Sequence, residues 1–308
     1  MLCEDRVCIT IGNASKDKEQ KSMIQDILPK NFHNQYLKKE ITENAKIMHF
    51  SEGCICCRYE DTMEFLTYRE IKQYYNIEEK ELPELRYLFS IAGEDYFLLM
   101  QEEVLAIEGY TYHRMFETRS MKPKENVFAA ATAWHLYGWY RDNVFCGRCG
   151  KKLVHGVRQR MLSCPSCKNT VFPKIAPAVI VGVTNGDKIL MTKYADREYK
   201  RYALIAGFTE IGETAEETVM REVMEEVGLH VKNIHYYKSQ PWGYDSNLLL
   251  GYFCELDDNA EITMDEEELS AAEWVDYHDV PGDKEQLSLT REMMTYFKTY
   301  KLKEHGEA

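Results

Sequence analysis

The chain has 308 residues and 36.1 kDa, with 44% hydrophobic and 29% charged residues, a balance that excludes wholesale disorder and predicts about two or three domains. Its net charge of −13 excludes a broad electrostatic grip on nucleic-acid backbone, so an anionic substrate needs metal ions or a local basic patch. No apolar run approaches the roughly 20 residues that span a bilayer, which predicts no membrane partner. Met1–Thr10 carries Glu4, Asp5 and Arg6 where an export signal needs an apolar core. Ten cysteines without such a signal predict reduced thiols in a cytoplasmic protein.

Residues 1–142 read as an α+β domain. Ile47–Phe50, Tyr87–Ile91 and Tyr96–Met100 have strand composition, the last two joined by the turn Ala92-Gly93-Glu94-Asp95. Gln101–Tyr110 reads equally as a strand element or a short helix. Cys54, Cys56 and Cys57 crowd together but have no partner group nearby in sequence, so buried or free thiols are expected, as for Cys3, Cys8 and Cys254. Asn126–Tyr140 spaces Ala, Trp and Leu as a helix does.

Residues 143–173 carry the first motif. Cys146-Gly-Arg-Cys149 is followed, after fourteen residues, by Cys164-Pro-Ser-Cys167. Two such turns let four thiolates converge on one tetrahedral ion, the geometry Zn²⁺ prefers, and a closed sphere leaves no position for water. One structural zinc per chain is therefore expected. The intervening residues are long enough for a two-stranded ribbon, and its Lys151, Lys152, Arg158 and Arg160 offer a short basic surface.

Residues 174–308 read as a mixed sheet with helices. The apolar strand Ala178–Thr184 meets the hairpin signal Asn185-Gly186 and a partner at Lys188–Tyr194. Further strands are expected at Arg201–Phe208, His235–Gln240, Asn247–Leu256 and Ala272–Asp276, with helices over about Thr214–Val227 and Ser288–Lys303.

The second motif opens that first helix. Gly207 and Gly212 make a turn, Glu213 and Thr214 start the helix and Gly228 ends it. Ala215, Val219, Val223 and Val227 repeat every four residues as a buried stripe, with Glu222, Glu225 and Glu226 crowding one edge of it. Like charges this close need an offset. A solvated acidic face with Arg221 as counterion is the plain alternative. The flanking glycines favour a hard cation, Mg²⁺ or Mn²⁺, bridging to phosphate oxygens.

The segment resembles the Nudix box, Gly-x5-Glu-x7-Arg-Glu-U-x-Glu-Glu-x-Gly-U with U aliphatic. It matches at Gly207, Glu213, Arg221, Glu222, Val223, Glu225, Glu226, Gly228 and Leu229. With a four-cysteine ribbon upstream, the chain is similar to the NADH pyrophosphatase family, whose members also act as NAD-capped RNA hydrolases. The family's array Ser-Gln-Pro-Trp-Pro-Phe-Pro-x-Ser reads here Ser239-Gln-Pro-Trp242-Gly-Tyr244-Asp-Ser-Asn247, departing at Gly243, Tyr244, Asp245 and Asn247. That array marks preference for the reduced dinucleotide. The resemblance covers about residues 110–300.

What it implies is an α+β protein: a Nudix fold, a mixed β-sheet sandwiched by helices, behind a zinc ribbon (143–173) and a family-specific N-terminal domain (1–142). The implied activity is metal-dependent hydrolysis of NADH or NAD⁺ to nicotinamide mononucleotide and AMP, and removal of NAD caps from RNA 5′ ends. Glu222 and Glu226 would hold about two or three Mg²⁺ or Mn²⁺ ions, with Glu225 as ligand or base, the Ala206 carbonyl completing the cage and Glu268 as the distant ligand. Glu213 and Arg221 would shape the loop and helix. Phe172 and Phe208 sit where the family places stacking rings, and Gln240, Trp242, Tyr244 and Asn247 are candidates for the rest of the pocket. Arg119 is spaced like a substrate-contacting arginine, and Thr290 lies in a segment like one that closes over the nucleotide. Homodimerisation is implied as well. Pyrophosphatases for ADP-ribose or dinucleoside polyphosphates, and a non-catalytic nucleotide- or RNA-binding sensor, remain as alternatives.

Overall fold

In the computed structural model, which describes residues 23–76, 83–195, 201–257, 259–283 and 287–307, the strand Ala176–Asn185 organises the C-terminal half. Alternate residues of a strand point to opposite faces. Val179, Val181 and Val183 accordingly pack with Val219, Val223 and Val227 of the helix Ala215–Val227, while Ala178 and Ile180 face the core shared with Leu289, Met293 and Phe297 of the helix Leu289–Glu304. The sheet between these two helices is mixed, as expected. Ala176–Asn185 runs parallel to Asn247–Leu256, antiparallel to Ile205–Phe208 over its first half, and antiparallel to the start of Lys188–Tyr194. Leu269–Asp276 lies on one edge and Val231–Trp242 on the other.

Several elements differ from expectation for local reasons. The ladder of the first hairpin closes at Asn185 opposite Lys188, so the two-residue loop is Gly186-Asp187, with Gly186 at φ 59. A two-residue loop that needs positive φ at its first position selects glycine there. Of the expected strand 201–208 only Ile205–Phe208 is regular, preceded by a single bridge from Ala203 to Thr192. His235–Gln240 is part of a longer strand, Val231–Trp242, that takes in Pro241; an edge strand tolerates the missing N–H.

The N-terminal region folds as two small sheets. In the first, Phe32–His33, Leu85–Ile91, Glu94–Leu99, Lys46–Met48 and Leu66–Thr67 lie in that order. The second pairs Cys54–Tyr59 with Phe50–Ser51, Met63–Glu64 and Thr111–Arg114. The expected strand Ile47–Phe50 is therefore split at His49, where the chain passes from one sheet to the other. The strand pair 85–99 turns at Ala92 and Gly93, both at positive φ. Gln101–Tyr110 is neither helix nor strand. The predicted helix extends over Lys124–Asp142.

Cys56 and Cys57 are consecutive on a strand, so they enter opposite cores, and burial pushes their thiols up to about 11 and about 12. They are packing residues, as is the buried Cys254. Cys3, Cys8 and the Met1–Thr10 stretch lie outside the described residues. Among the described residues no helix is long and apolar enough to cross a membrane.

The ribbon has three short strands, one more than expected: Val154–His155, Leu162–Ser163 and Thr170–Val171. Leu153, Leu162, Cys146 and Cys164 join the core built around the helix Lys124–Asp142, so ribbon and N-terminal region share one apolar interior.

Candidate metal centre and nucleotide site

The helix Ala215–Val227 is fixed at both ends by its own sequence. Thr214 accepts from Glu217 N–H at 3.2 Å and Glu217 accepts from Thr214 N–H at 2.7 Å, a reciprocal cap. Gly228, at φ 68, donates to the Met224 carbonyl and ends the helix. Rotation about this fixed axis puts Glu222 and Glu226 beside the valine stripe, 9% and 3% exposed, and leaves Glu225 outside. Two carboxylates are thus buried where the sequence pattern alone shows three crowding one edge of the stripe.

Gly207 is fixed by the first of them. A Cβ at this position would stand 1.9 Å from the Glu222 carboxyl carbon, so no other residue fits while Glu222 keeps its place. The neighbouring Ala206 N–H donates to Glu226 Oε1 at 3.4 Å. The strand Ile205–Phe208 therefore presses its backbone directly against both buried acids.

Arg221 ties the box together. Its guanidinium reaches Glu213 with two nitrogens (2.6 and 3.0 Å), Glu222 Oε1 at 2.7 Å, Glu225 Oε2 at 2.9 Å and the Phe208 carbonyl at 2.8 Å. Glu213 also accepts from Thr218 Oγ1 at 3.1 Å and from Glu210 N–H at 3.0 Å. The Arg221 guanidinium and these donors hold the Glu213 carboxyl down at about 2. Glu222 moves the other way: burial raises it despite Arg221, and the charges of Glu225 and Glu268 push in the same direction.

Glu268 lies on an exposed turn that the backbone pins to the end of the box helix, through Asp265 N–H to Glu226 O at 2.9 Å and Thr263 N–H to Val227 O at 3.0 Å. A buried acid raised by desolvation and by neighbouring acids is stabilised by a divalent cation, and all its candidate partners are hard oxygens. The donor set fits Mg²⁺ or Mn²⁺. It is an open set: Arg221 occupies Glu222 and Glu225, and the box acids are not gathered within 4.8 Å of one another.

The four ribbon cysteines are so gathered. Their sulfur atoms lie within 4.8 Å of one another, with Cys146 Sγ 3.6 Å from Cys167 Sγ and Cys149 Sγ 3.4 Å from Cys164 Sγ. The two turns repeat one hydrogen-bond pattern. Gly150 N–H donates to Cys146 O and Lys168 N–H to Cys164 O, while Cys146 N–H and Cys164 N–H donate to the carbonyls of Lys151 and Asn169. Gly150 and Lys168, both at positive φ, occupy equivalent places. The backbone N–H of Arg148 draws Cys146 down to about 6, and that of Cys167 lowers Cys164. Cys149 is pushed the other way, up to about 12, by the neighbouring sulfurs, so it is the four thiols at this spacing that fit zinc, with no position left for water.

The residues implied for substrate separate into three groups. Phe172 and Phe208 are open rings, each 54% exposed. Trp242 is buried and donates to Asp245 Oδ2 at 2.9 Å, and the Arg119 guanidinium lies 5.2 Å from its ring and 4.9 Å from that of Phe116. Tyr244 reaches Thr118 Oγ1 at 3.0 Å, and Asn247 is buried opposite Trp242 in the edge ladder. Gln240 is fully buried and committed to the fold. Its amide donates to Leu287 O at 2.9 Å and Gln25 Oε1 at 3.1 Å and accepts from Leu289 N–H at 2.8 Å, which fixes the start of the C-terminal helix and Thr290 on its first turn.

Gly243, which stands where the array has proline, lies against the helix Lys124–Asp142. A Cβ there would meet the Ala131 carbonyl oxygen at 2.2 Å. The altered array is thus a seat for the N-terminal region. Phe116 and Ala131 carry no motif, and only their partners' positions in space single them out.

Two family models match the chain: the NUDIX domain over residues 174–296 and the NADH pyrophosphatase zinc ribbon domain over residues 141–172. A relative from Citrobacter koseri named NAD-capped RNA hydrolase NudC is 38% identical over 198 residues, which is 63% of this chain and 77% of that one. A relative of the same name from Photorhabdus laumondii is 38% identical over 146 residues, 47% of this chain, and the match spans only 56% of that protein's length. A solved NUDIX hydrolase from Nitrosomonas europaea is 20% identical and covers 53% of this chain and 93% of its own, with a TM-score of 0.44.

Proposed function

Since the chain belongs to the zinc-ribbon branch of the Nudix hydrolases, we propose that it is a metal-dependent hydrolase of NAD(H), splitting the pyrophosphate into nicotinamide mononucleotide and AMP and removing NAD caps from RNA. The observation that carries this reading is the pair of buried box acids, Glu222 and Glu226, seated against the backbone of Ala206 and Gly207. A binding module has no use for two desolvated carboxylates in that position.

In this reading Glu222 and Glu226 would hold Mg²⁺ or Mn²⁺, about two or three ions, with the Ala206 carbonyl and Glu268 as further ligands. Bound there, such ions would supply charge neutralisation of the phosphates and a lowered pKa for the attacking water. Glu225, the exposed acid, adds a ligand or takes the proton from that water. Arg221 keeps Glu213, Glu222 and Glu225 in register. Phe172 and Phe208 stack on the base, which their exposure permits. Arg119, in contact with the Phe116 and Trp242 rings, and Tyr244, Asn247 and Thr290 line the remainder, and Gln240 acts only by placing Thr290.

Around this core we assign a domain division of 1–142, 143–173 and 174–308, a structural zinc in the ribbon, a homodimer and a cytoplasmic setting. A second reading rests on the altered array: Gly243 and Tyr244 are engaged with the N-terminal region, so selectivity for the reduced dinucleotide is relaxed toward ADP-ribose or dinucleoside polyphosphates. A panel of NADH, NAD⁺, NAD-capped RNA, ADP-ribose and diadenosine polyphosphates with Mg²⁺ or Mn²⁺, with products identified by mass, decides between them. Nicotinamide mononucleotide and AMP from NAD(H) at the highest kcat/KM supports the first, and absence of any cleavage refutes both.

A further inference from the structure

Between Asp142 and Asp187 the chain carries seven Lys and Arg residues and no Asp or Glu, although acidic residues outnumber basic ones 51 to 38 overall. This island is the ribbon and the segment leading from it into the strand Ala176–Asn185. One of its cations joins it to the rest of the fold: Arg160 donates to Leu88 O at 2.6 Å and Asn34 Oδ1 at 3.3 Å and lies over the Tyr36 ring, fastening the ribbon to the N-terminal sheet, while Lys168 Nζ donates within its own turn to Pro165 O at 2.9 Å. The other six, Arg148, Lys151, Lys152, Arg158, Lys168 and Lys174, are exposed, and among the described residues none forms an ion pair. A zinc tetrathiolate has a formal charge of about −2, so the loaded ribbon stays positive.

Cations alone suit any polyanion. Here they are interleaved with open apolar side chains, Phe145 at 64% and Val157 at 93% exposed, and they lead to Phe172, which directly follows the last ribbon strand. Unpaired cations interleaved with exposed apolar and aromatic side chains suit single-stranded nucleic acid, whose phosphates and unstacked bases need both. We propose that the outer face of the zinc ribbon is the track for the RNA that follows the capped nucleotide, binding its backbone without reading its sequence. This rests on the decapping reading, in which Phe172 stacks the terminal nucleotide. Lys174 and Lys168 flank that ring in the chain, two and four residues away, and both are exposed. The local patch reconciles an RNA substrate with a chain whose net charge is −13.

The test uses the full chain with Lys151, Lys152 and Arg158 replaced together by Gln. Three signals are read: NADH hydrolysis, kcat/KM on an NAD-capped oligoribonucleotide, and anisotropy binding of the same oligonucleotide uncapped, as a function of KCl. NADH hydrolysis is expected to stay within about twofold, because none of these side chains is among those assigned to the dinucleotide, while kcat/KM on capped RNA falls about tenfold or more and the salt slope of binding drops by about 2, as for three lost single-strand phosphate contacts.

Equal loss on both substrates, or no loss on capped RNA, overturns the track. So does an equally impaired variant with Lys151→Arg, Lys152→Arg and Arg158→Lys, which keeps the charge. Should the Gln variant not retain zinc, Lys174→Gln, outside the metal turns, must lower the slope by about 0.7. Binding to phosphatidylserine vesicles in place of RNA overturns the proposal as well. If the wild-type protein cleaves neither NADH nor capped RNA, the hydrolase reading fails, and the oligonucleotide isotherms still decide the track.

Discussion

The ribbon and the box are two candidate metal centres built on opposite plans. The ribbon sulfurs already converge within 4.8 Å, held by two copies of one backbone turn. The box carboxylates are kept apart: two are buried against backbone, the third is outside, and Arg221 spans between them. A centre closed by protein ligands has nothing left to offer a substrate, while an open one must recruit water and phosphate to complete itself. In the proposed reading, the difference places fold stability in one centre and chemistry in the other.

The largest effect should come from opening the closed centre. Cys164→Ser removes a buried thiol from a site whose metal binding is coupled to folding, so zinc and folded protein should be lost together. Metal analysis with a thermal melt reads this, and a folded, active, zinc-free variant would erase the contrast. Next is the box backbone. Gly207→Ala places a Cβ 1.9 Å from the Glu222 carboxyl carbon, which must move away. Turnover should fall by about 10²-fold or more while zinc content is unchanged; wild-type turnover would show that Glu222 does not need its seat.

The smallest effect concerns the ion pair that spans the box. The folded-state carboxyl of Glu213 is held at about 2, below its ordinary value of 4.5, so its stabilising contribution is full above that ordinary value and is lost as pH falls toward 2. Glu213→Gln should therefore flatten the acid limb of a melting curve taken without divalent metal between about pH 4.5 and 2 and lower stability at neutral pH. An unchanged acid limb would mean that Arg221 does not act through Glu213.

Motif-bearing parts were legible in the sequence because their physics is local. The cysteine spacing sets the zinc turns, and the four-residue valine repeat with Thr214 and Gly228 sets the helix and its ends. What escaped depends on contacts distant in sequence. Nothing near Gln240 says that its amide is consumed by Leu287 and Leu289, and nothing near Gly243 says that it abuts Ala131. The break at His49 likewise depends on two sheets, and the burial that separates Glu225 from Glu222 and Glu226 appears only when the helix is set against its strand. A third ribbon strand was missed because a pair of residues has no readable period.

The central claim is that the buried box acids hold the catalytic cations. Glu226→Gln keeps the shape of the side chain and leaves an oxygen to accept from Ala206 N–H, but removes the charge. Measured as kcat for NADH hydrolysis with saturating Mg²⁺ or Mn²⁺, beside a melt of the same variant without divalent metal, turnover should drop by about 10²-fold or more while the melting temperature holds or rises as acid repulsion is relieved. Near wild-type turnover by the Glu226→Gln protein would contradict the account.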